Sequence, residues 1–298
     1  MKLFTALLIT TVSLLAYELK PVKINPYTYC FIGDTAPVSK KNGGFISNVC
    51  ILKSDNSIIA LDAGPTYQFA KELDAMAVKL FDHSITHVIV SNYHDDRIIG
   101  ASYFQDHNIP VYAAKGTSEA IAKNAMRFQR IPKEVGKELY KGSYIPNRFS
   151  SIAVPMPFSN NIDIIKPSRA SNSATDIVVY DKRTKFLFTG NVVFNDRAIG
   201  YAPDSDVSEW LVAIGKLKQL KAKNIMGGHG KQCDAKSYET TEKYLQAMKK
   251  QIPKLYDEGI GLDEIVKKTD FSNFKHLQHF NDLNGKNIYN YYMQVEQQ

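Results

Sequence analysis

The sequence predicts an α/β protein, and three observations carry that reading. Short β-branched runs such as Val88-Ile89-Val90 and Ile177-Val178-Val179 have the composition of buried strands. They alternate with segments whose apolar residues recur at helical spacing, among them Phe69, Leu73, Met76, Ala77 and Leu80. Finally, polar and glycine-rich residues follow the runs ending at Val90 and Met226, and α/β folds collect their functional residues at the carboxyl ends of strands.

Taken in order, residues 27–33 and 45–53 read as strands joined by a turn-rich segment containing Pro37 and Asn42-Gly43-Gly44. A third strand, Ile58 to Leu61, ends at Asp62-Ala63-Gly64-Pro65, and Thr66 is placed to cap the helix that follows. The polar residues after Val90 form a loop; then come a helix over Ala101 to His107 and a strand over Val111 to Ala113. The segment from Thr117 to Leu139 is helical but polar, with Pro132 interrupting it. It is expected to lie over the mouth of a site, where Phe128 and Tyr140 either meet a ligand or simply pack. Strands return at Ile152 to Pro155, Ile162 to Ile165, Ile177 to Tyr180 and Phe186 to Phe188. Asp206 to Leu220 is amphipathic, with Trp210, Leu211, Ile214, Leu217 and Leu220 on one side, and leads into the strand before His229. From Lys236 the chain reads as helices. His276 and His279 would stand on one helix face, a spacing that permits metal binding, but no carboxylate is arranged beside them.

Length and composition exclude several classes. The 298 residues, 44% hydrophobic and 22% charged, are those of an ordinary globular protein rather than a disordered chain. Formal charge is +7, from 37 basic and 30 acidic residues, and falls to +6 without Lys2. No block of five like charges occurs, so no nucleic-acid surface is indicated. Lys2 followed by the uncharged run Leu3 to Ala16 reads as a signal peptide cleaved after Ala16, and the alternative is an uncleaved anchor. After cleavage no stretch approaches the ~20 apolar residues of a transmembrane segment. Export makes a disulfide permissible among Cys30, Cys50 and Cys233. A Cys30–Cys50 bridge and two buried free thiols both remain open, and an odd count leaves at least one thiol unpaired.

Two clusters carry candidate chemistry. His94 and Asp96 stand two apart beyond Val90, so an imidazole and a carboxylate can turn toward one point as metal ligands. The plain alternative is a strand-end turn rich in Asn and Asp. Far downstream, Gly227-Gly228-His229-Gly230 supplies a single His on a backbone that glycine allows to turn sharply.

Asn92-Tyr93-His94-Asp95-Asp96-Arg97, with Asp62-Ala63-Gly64 before it and Gly228-His229-Gly230 after it, resembles the metallo-β-lactamase superfamily, whose first motif is usually His-x-His-x-Asp-His. The likeness covers most of residues 27–232. Thr28 to Lys40 and Asn42 to Asn48 resemble, more narrowly, the periplasmic branch called quinoprotein relay system zinc metallohydrolases. The resemblance implies an αββα four-layer sandwich over residues 17–298, with 236–298 a helical extension.

It also implies a metal site. Asn92 and Arg97 fall on the first and last His of the motif, Asn172 on the next His, and Asn191 on the remaining Asp or Cys ligand. Asp62 would support the site from behind by hydrogen bonding. Only His94, Asp96 and His229 remain as strong ligands, enough for at most one weakly held zinc or for none. Asn92, Tyr93, Arg97, Asn172 and Asn191 would then line a polar pocket. Two readings follow: a periplasmic or secreted one-metal hydrolase of a small ester, thioester or amide-like substrate, with Asp96 and His94 at the reacting centre, or a non-catalytic protein that binds a small molecule or partner in the retained pocket.

Overall fold

The computed structural model describes residues 17–153 and 156–297. The expected signal, residues 1–16, lies outside them.

Strands β1 (Val22–Asn25), β2 (Thr28–Phe31), β3 (Val49–Ser54), β4 (Ser57–Leu61), β5 (His87–Ile89), β6 (Val111–Ala113) and β7 (Ser150–Ser151) make one sheet in chain order. The first four pair antiparallel, and β5 to β7 add in parallel. Strands β8 (Ile162–Ile165), β9 (Val178–Asp181), β10 (Phe186–Phe188), β11 (Asn224–Met226) and β12 (Cys233–Asp234) make the second, in the order β12-β11-β10-β9-β8.

The pleat sorts the apolar residues into three cores. Successive side chains leave a strand on opposite faces. Thus Cys50, Leu52, Ile59 and Leu61 meet Val179, Phe186 and Phe188 between the sheets. Val49, Ile51, Ile58 and Ala60 face the other way, onto α1 (Tyr67–Phe81) and the short helices α2 (Asp95–Ile98), α3 (Ala101–Asp106), α4 (Thr117–Lys123), α5 (Arg130–Val135) and α6 (Lys137–Tyr140). On the second sheet Val178, Leu187 and Ile225 face α7 (Val207–Gln219), α8 (Glu239–Asp257), α9 (Leu262–Lys268) and α10 (Phe280–Glu296). The layers run helix, sheet, sheet, helix, as the sequence implied.

Local signals set the helix starts. Thr66 Oγ1 accepts from the Phe69 amide at 3.1 Å and Asp206 Oδ1 from the Glu209 amide at 2.8 Å, caps worth about 1 kcal/mol each. Three expectations need correction. Of the strand expected at Ile152 to Pro155, residues 154 and 155 lie outside the described residues; the ladder pairing falls on Ser150–Ser151 instead of Ile152, whose apolar side chain packs between the sheets. Strand β1 has no clear apolar alternation and was not foreseen; its side chains are exposed or half-buried. His276 and His279 do not share a helix: His279 precedes α10 in a left-handed conformation and bonds Asp282 at 3.0 Å.

Cys30 and Cys50 face each other in the β2–β3 register and are joined by a disulfide, both fully buried on the inter-sheet face. Cys233 is a free, half-buried thiol.

Candidate active-site pocket

Two strand ends bring the site together. Beyond β5 the expected loop runs over residues 90–94 and ends in the short helix α2, with His94 as its N-cap and Asp96 in its first turn. Beyond β11 it turns through Gly227 to Gly230. Gly230 has φ +84°, and a Cβ on Gly228 would collide with the Arg97 guanidinium and the Gly190 carbonyl, so neither position accepts a side chain. Asn48 fastens this turn to β3: its Nδ2 donates to the carbonyls of Gly227 at 2.9 Å and Gly230 at 2.7 Å.

Beneath the site lies a closed polar layer. The Asp62 carboxylate accepts from the Ser91 amide at 2.6 Å, from Ser91 Oγ at 2.9 Å and from Arg97 Nη1 at 2.5 Å. Arg97 Nη2 donates to Asn191 Oδ1 at 2.5 Å and to the Gly228 carbonyl at 3.0 Å. Both partners of the Arg97–Asp62 pair are wholly buried. Asp62 and Arg97 therefore tie together the loops after β4, β5, β10 and β11 from below and do not reach the cavity.

Above this layer a cavity of about 210 Å³ is walled by His94, Asp96, Asn172, Asn191, Arg197 and His229. Arg127, from the segment between α4 and α5, and Arg130, the first residue of α5, close its rim. Asn92 and Tyr93 are not on its wall, which corrects their expected place in the pocket. Asn92 knits the loop instead, accepting from the His94 amide at 3.0 Å and donating to Asp176 at 3.0 Å. The Tyr93 hydroxyl points to Asp204 at 3.4 Å. Phe128 is buried in the core and Tyr140 packs against it, so neither meets a ligand. The segment over the mouth contributes Arg127 and Arg130 instead.

Hydrogen bonding fixes both imidazole tautomers. Because Arg97 can only donate, the oxygen of the Asn191 amide must face it, which turns Asn191 Nδ2 toward His94 Nδ1 at 2.8 Å. His94 Nδ1 thus accepts, and its proton sits on Nε2, a buried atom with no partner among the described residues. His229 Nδ1 donates to the Ile46 carbonyl at 2.7 Å, leaving a lone pair on Nε2. Both rings are neutral at pH 7. Burial, then Arg127, pushes His94 well below the usual histidine range, and burial, then Arg197, does the same to His229. Burial works to raise the Asp96 carboxyl, but Arg130, Arg97 and Arg127 outweigh it and hold the group well below the carboxylate range.

These donors do not fit a zinc ion. His94 offers no lone pair: one nitrogen is occupied by the Asn191 amide and the other carries the proton. Asp96 Oδ1 is drawn to Arg130 at 3.4 Å and Arg127 at 3.6 Å. Only one free imidazole lone pair remains, where zinc takes three or four strong donors. Three guanidinium groups around one cavity also repel a dication. Among the described residues, no three His, Cys, Asp or Glu side chains are grouped so as to hold a metal. The sequence pattern thus located His94, Asp96, Asn172, Asn191 and His229 in one place but overlooked Arg127, Arg130, Arg197 and Asn48. Arg127 and Arg130, three apart in a segment already expected at the mouth, were the available signal. Arg197 lies in an irregular stretch that offers none.

Comparison with known proteins agrees with this fold. The family model of the metallo-β-lactamase superfamily matches residues 42–229, which span the site from the Asn48 loop to His229. A type 2 metallo-β-lactamase of Bacillus sp. (strain 170) is 25% identical over 190 residues, 62% of this chain and 67% of that relative. Among solved structures, a metallo-β-lactamase from Pontibacter korlensis superposes with a TM-score of 0.60 at 20% identity, covering 77% of this chain and 99% of that one. The FIM-1 metallo-β-lactamase of Pseudomonas aeruginosa, in its mono-zinc form, gives 0.60 at 15% identity over 76% and 95% of the two chains. These similarities carry the fold, and at a coarse level the scaffold is that of a metallo-hydrolase. With two packed sheets, strand-end loops meeting at one cavity and a family match over most of the chain, this protein belongs to the metallo-β-lactamase superfamily.

Proposed function

We propose that this chain is a ligand-binding member of its family, a non-catalytic protein that takes a small molecule in the retained pocket without zinc chemistry. The orientation of the Asn191 amide carries the reading. Set by Arg97, it occupies the basic nitrogen of His94 and leaves the pocket short of metal donors. An exported, oxidising location is part of the proposal and is supported by the buried Cys30–Cys50 disulfide.

One observation favours the rival reading, a one-metal hydrolase: Asp96 and the free Nε2 lone pair of His229 still share the cavity. Zinc analysis after brief chelation separates the two. The natural chain should retain no zinc. Asn191→Asp, which keeps an acceptor for Arg97, frees His94 Nδ1 and adds negative charge, should take zinc up at least tenfold more tightly, and Asp96→Ala in that background should abolish the gain. Stoichiometric zinc in the natural chain, with turnover of a simple ester or thioester, would establish the hydrolase instead.

A further inference from the structure

The cations around the cavity are not equally compensated. Arg97 is paired with Asp62. Arg127 and Arg130 share the buried carboxylate of Asp95, at 3.0 Å and 2.7 Å. Arg197 has no carboxylate within ion-pair distance among the described residues, and its Nε is buried without a hydrogen-bond partner. Its Nη1 lies 3.5 Å from His229 Nδ1, but that nitrogen already carries a proton directed at Ile46, so the contact is no hydrogen bond. A guanidinium cannot shed its proton at neutral pH, and a largely buried charge is unfavourable until it is paired. Beside it stands a second unmet donor, the Nε2–H of His94.

We propose that the cavity is a receptor for a phosphate group, carried by a small phosphomonoester or by free phosphate, with Arg197 as its principal partner and Arg127, Arg130 and His94 closing round it. This rests on reading the pocket as metal-free. The donors come from three directions: the N-cap of α2, the segment from Arg127 to the first residue of α5, and the loop after β10. That spread suits a tetrahedral anion with three free oxygens better than a planar carboxylate with two. The cavity of about 210 Å³ receives the head group. A second cavity, about 370 Å³, shares Ile46, Arg130, Arg197 and Leu283 with it and is lined beyond them by Pro37, Val38, Glu134, His279 and Asp282. Its Pro37, Val38 and Leu283 side offers an apolar seat for the body of an ester.

Calorimetry on chelated, full-length protein at low ionic strength tests this with inorganic phosphate, phenyl phosphate and benzoate. Both phosphate probes should bind one to one, and Arg197→Met should weaken them at least tenfold. A folding defect is distinguishable: without ligand the variant should melt no lower than the natural chain, since it removes an unpaired buried charge, while losing the melting shift that phosphate confers. Tighter binding of phenyl phosphate than of phosphate assigns an ester seated in the second cavity; equal binding assigns free phosphate. The proposal is overturned if neither probe binds, if Arg197→Met binds as the natural chain does, or if benzoate binds more tightly than phenyl phosphate. Retained zinc would instead strike the metal-free reading, so the two failures are told apart.

Discussion

Two arginines, Arg97 beneath the cavity and the largely buried Arg197 on its wall, have opposite characters. Both leave Nε unpartnered, but Arg97 spends its two terminal nitrogens on Asp62, Asn191 and the Gly228 carbonyl, whereas Arg197 meets no carboxylate among the described residues. A buried cation with both terminal nitrogens bonded holds a framework together. One with them open is tolerated because something else arrives to fill them. The site is therefore a finished lower layer under an unfinished upper one, and the contrast can be attacked from either side.

The largest effect should come from the lower layer. Arg97→Ala leaves Asp62 buried without its cation, and breaking a fully buried pair in this way costs about 3–5 kcal/mol. Urea unfolding measures it, and a loss below about 1 kcal/mol would show that Arg97 is not the framework's keystone. Asp95→Ala should cost less, about 1–2 kcal/mol, because Arg127 and Arg130 are each roughly a third exposed and can turn to water. That variant should also raise amide exchange across residues 125–135, and unchanged exchange there would separate Asp95 from the ordering of the rim.

The most diagnostic effect is a pH dependence, spread over more than one pH unit. His94 and His229 have depressed values in the folded state and about 6.5 unfolded, so on acidification the unfolded chain takes up protons first. Stability should be full above about pH 6.5 and fall below it, by at most ~1.4 kcal/mol per pH unit for each histidine. His94→Gln should remove one share of that slope. If stability instead rises as pH drops from 7 to 5.5, the neutral tautomers assigned to the cavity are wrong.

The fold was largely legible in the sequence because its signals are local. Period-two alternation sorts Ile58 to Leu61 between two cores, and Thr66 and Asp206 announce helix starts. The location of the site was legible for the same reason, since His94 and His229 follow recognisable strands. Its character was not. Whether Asn191 accepts or donates toward His94 depends on Arg97, far away in sequence, and the cavity's charge depends on Arg197, which no motif marks. Cys30 and Cys50 were left undecided until the register set them opposite each other. Asn92 and Tyr93 were misassigned to the wall because adjacency to His94 in sequence says nothing about which way a loop residue turns.

The Arg97–Asn191 contact also limits how this protein can change. A metal-binding residue at position 191 must still accept a hydrogen bond from Arg97. A carboxylate does so and also ligates. A histidine, whose second nitrogen keeps its proton when the first ligates, would leave a buried guanidinium short of an acceptor, so a second substitution at position 97 would have to come with it. Substitutions that share a partner are not additive. A step toward a zinc site through histidine at position 191 therefore passes through a less stable protein unless position 97 changes first.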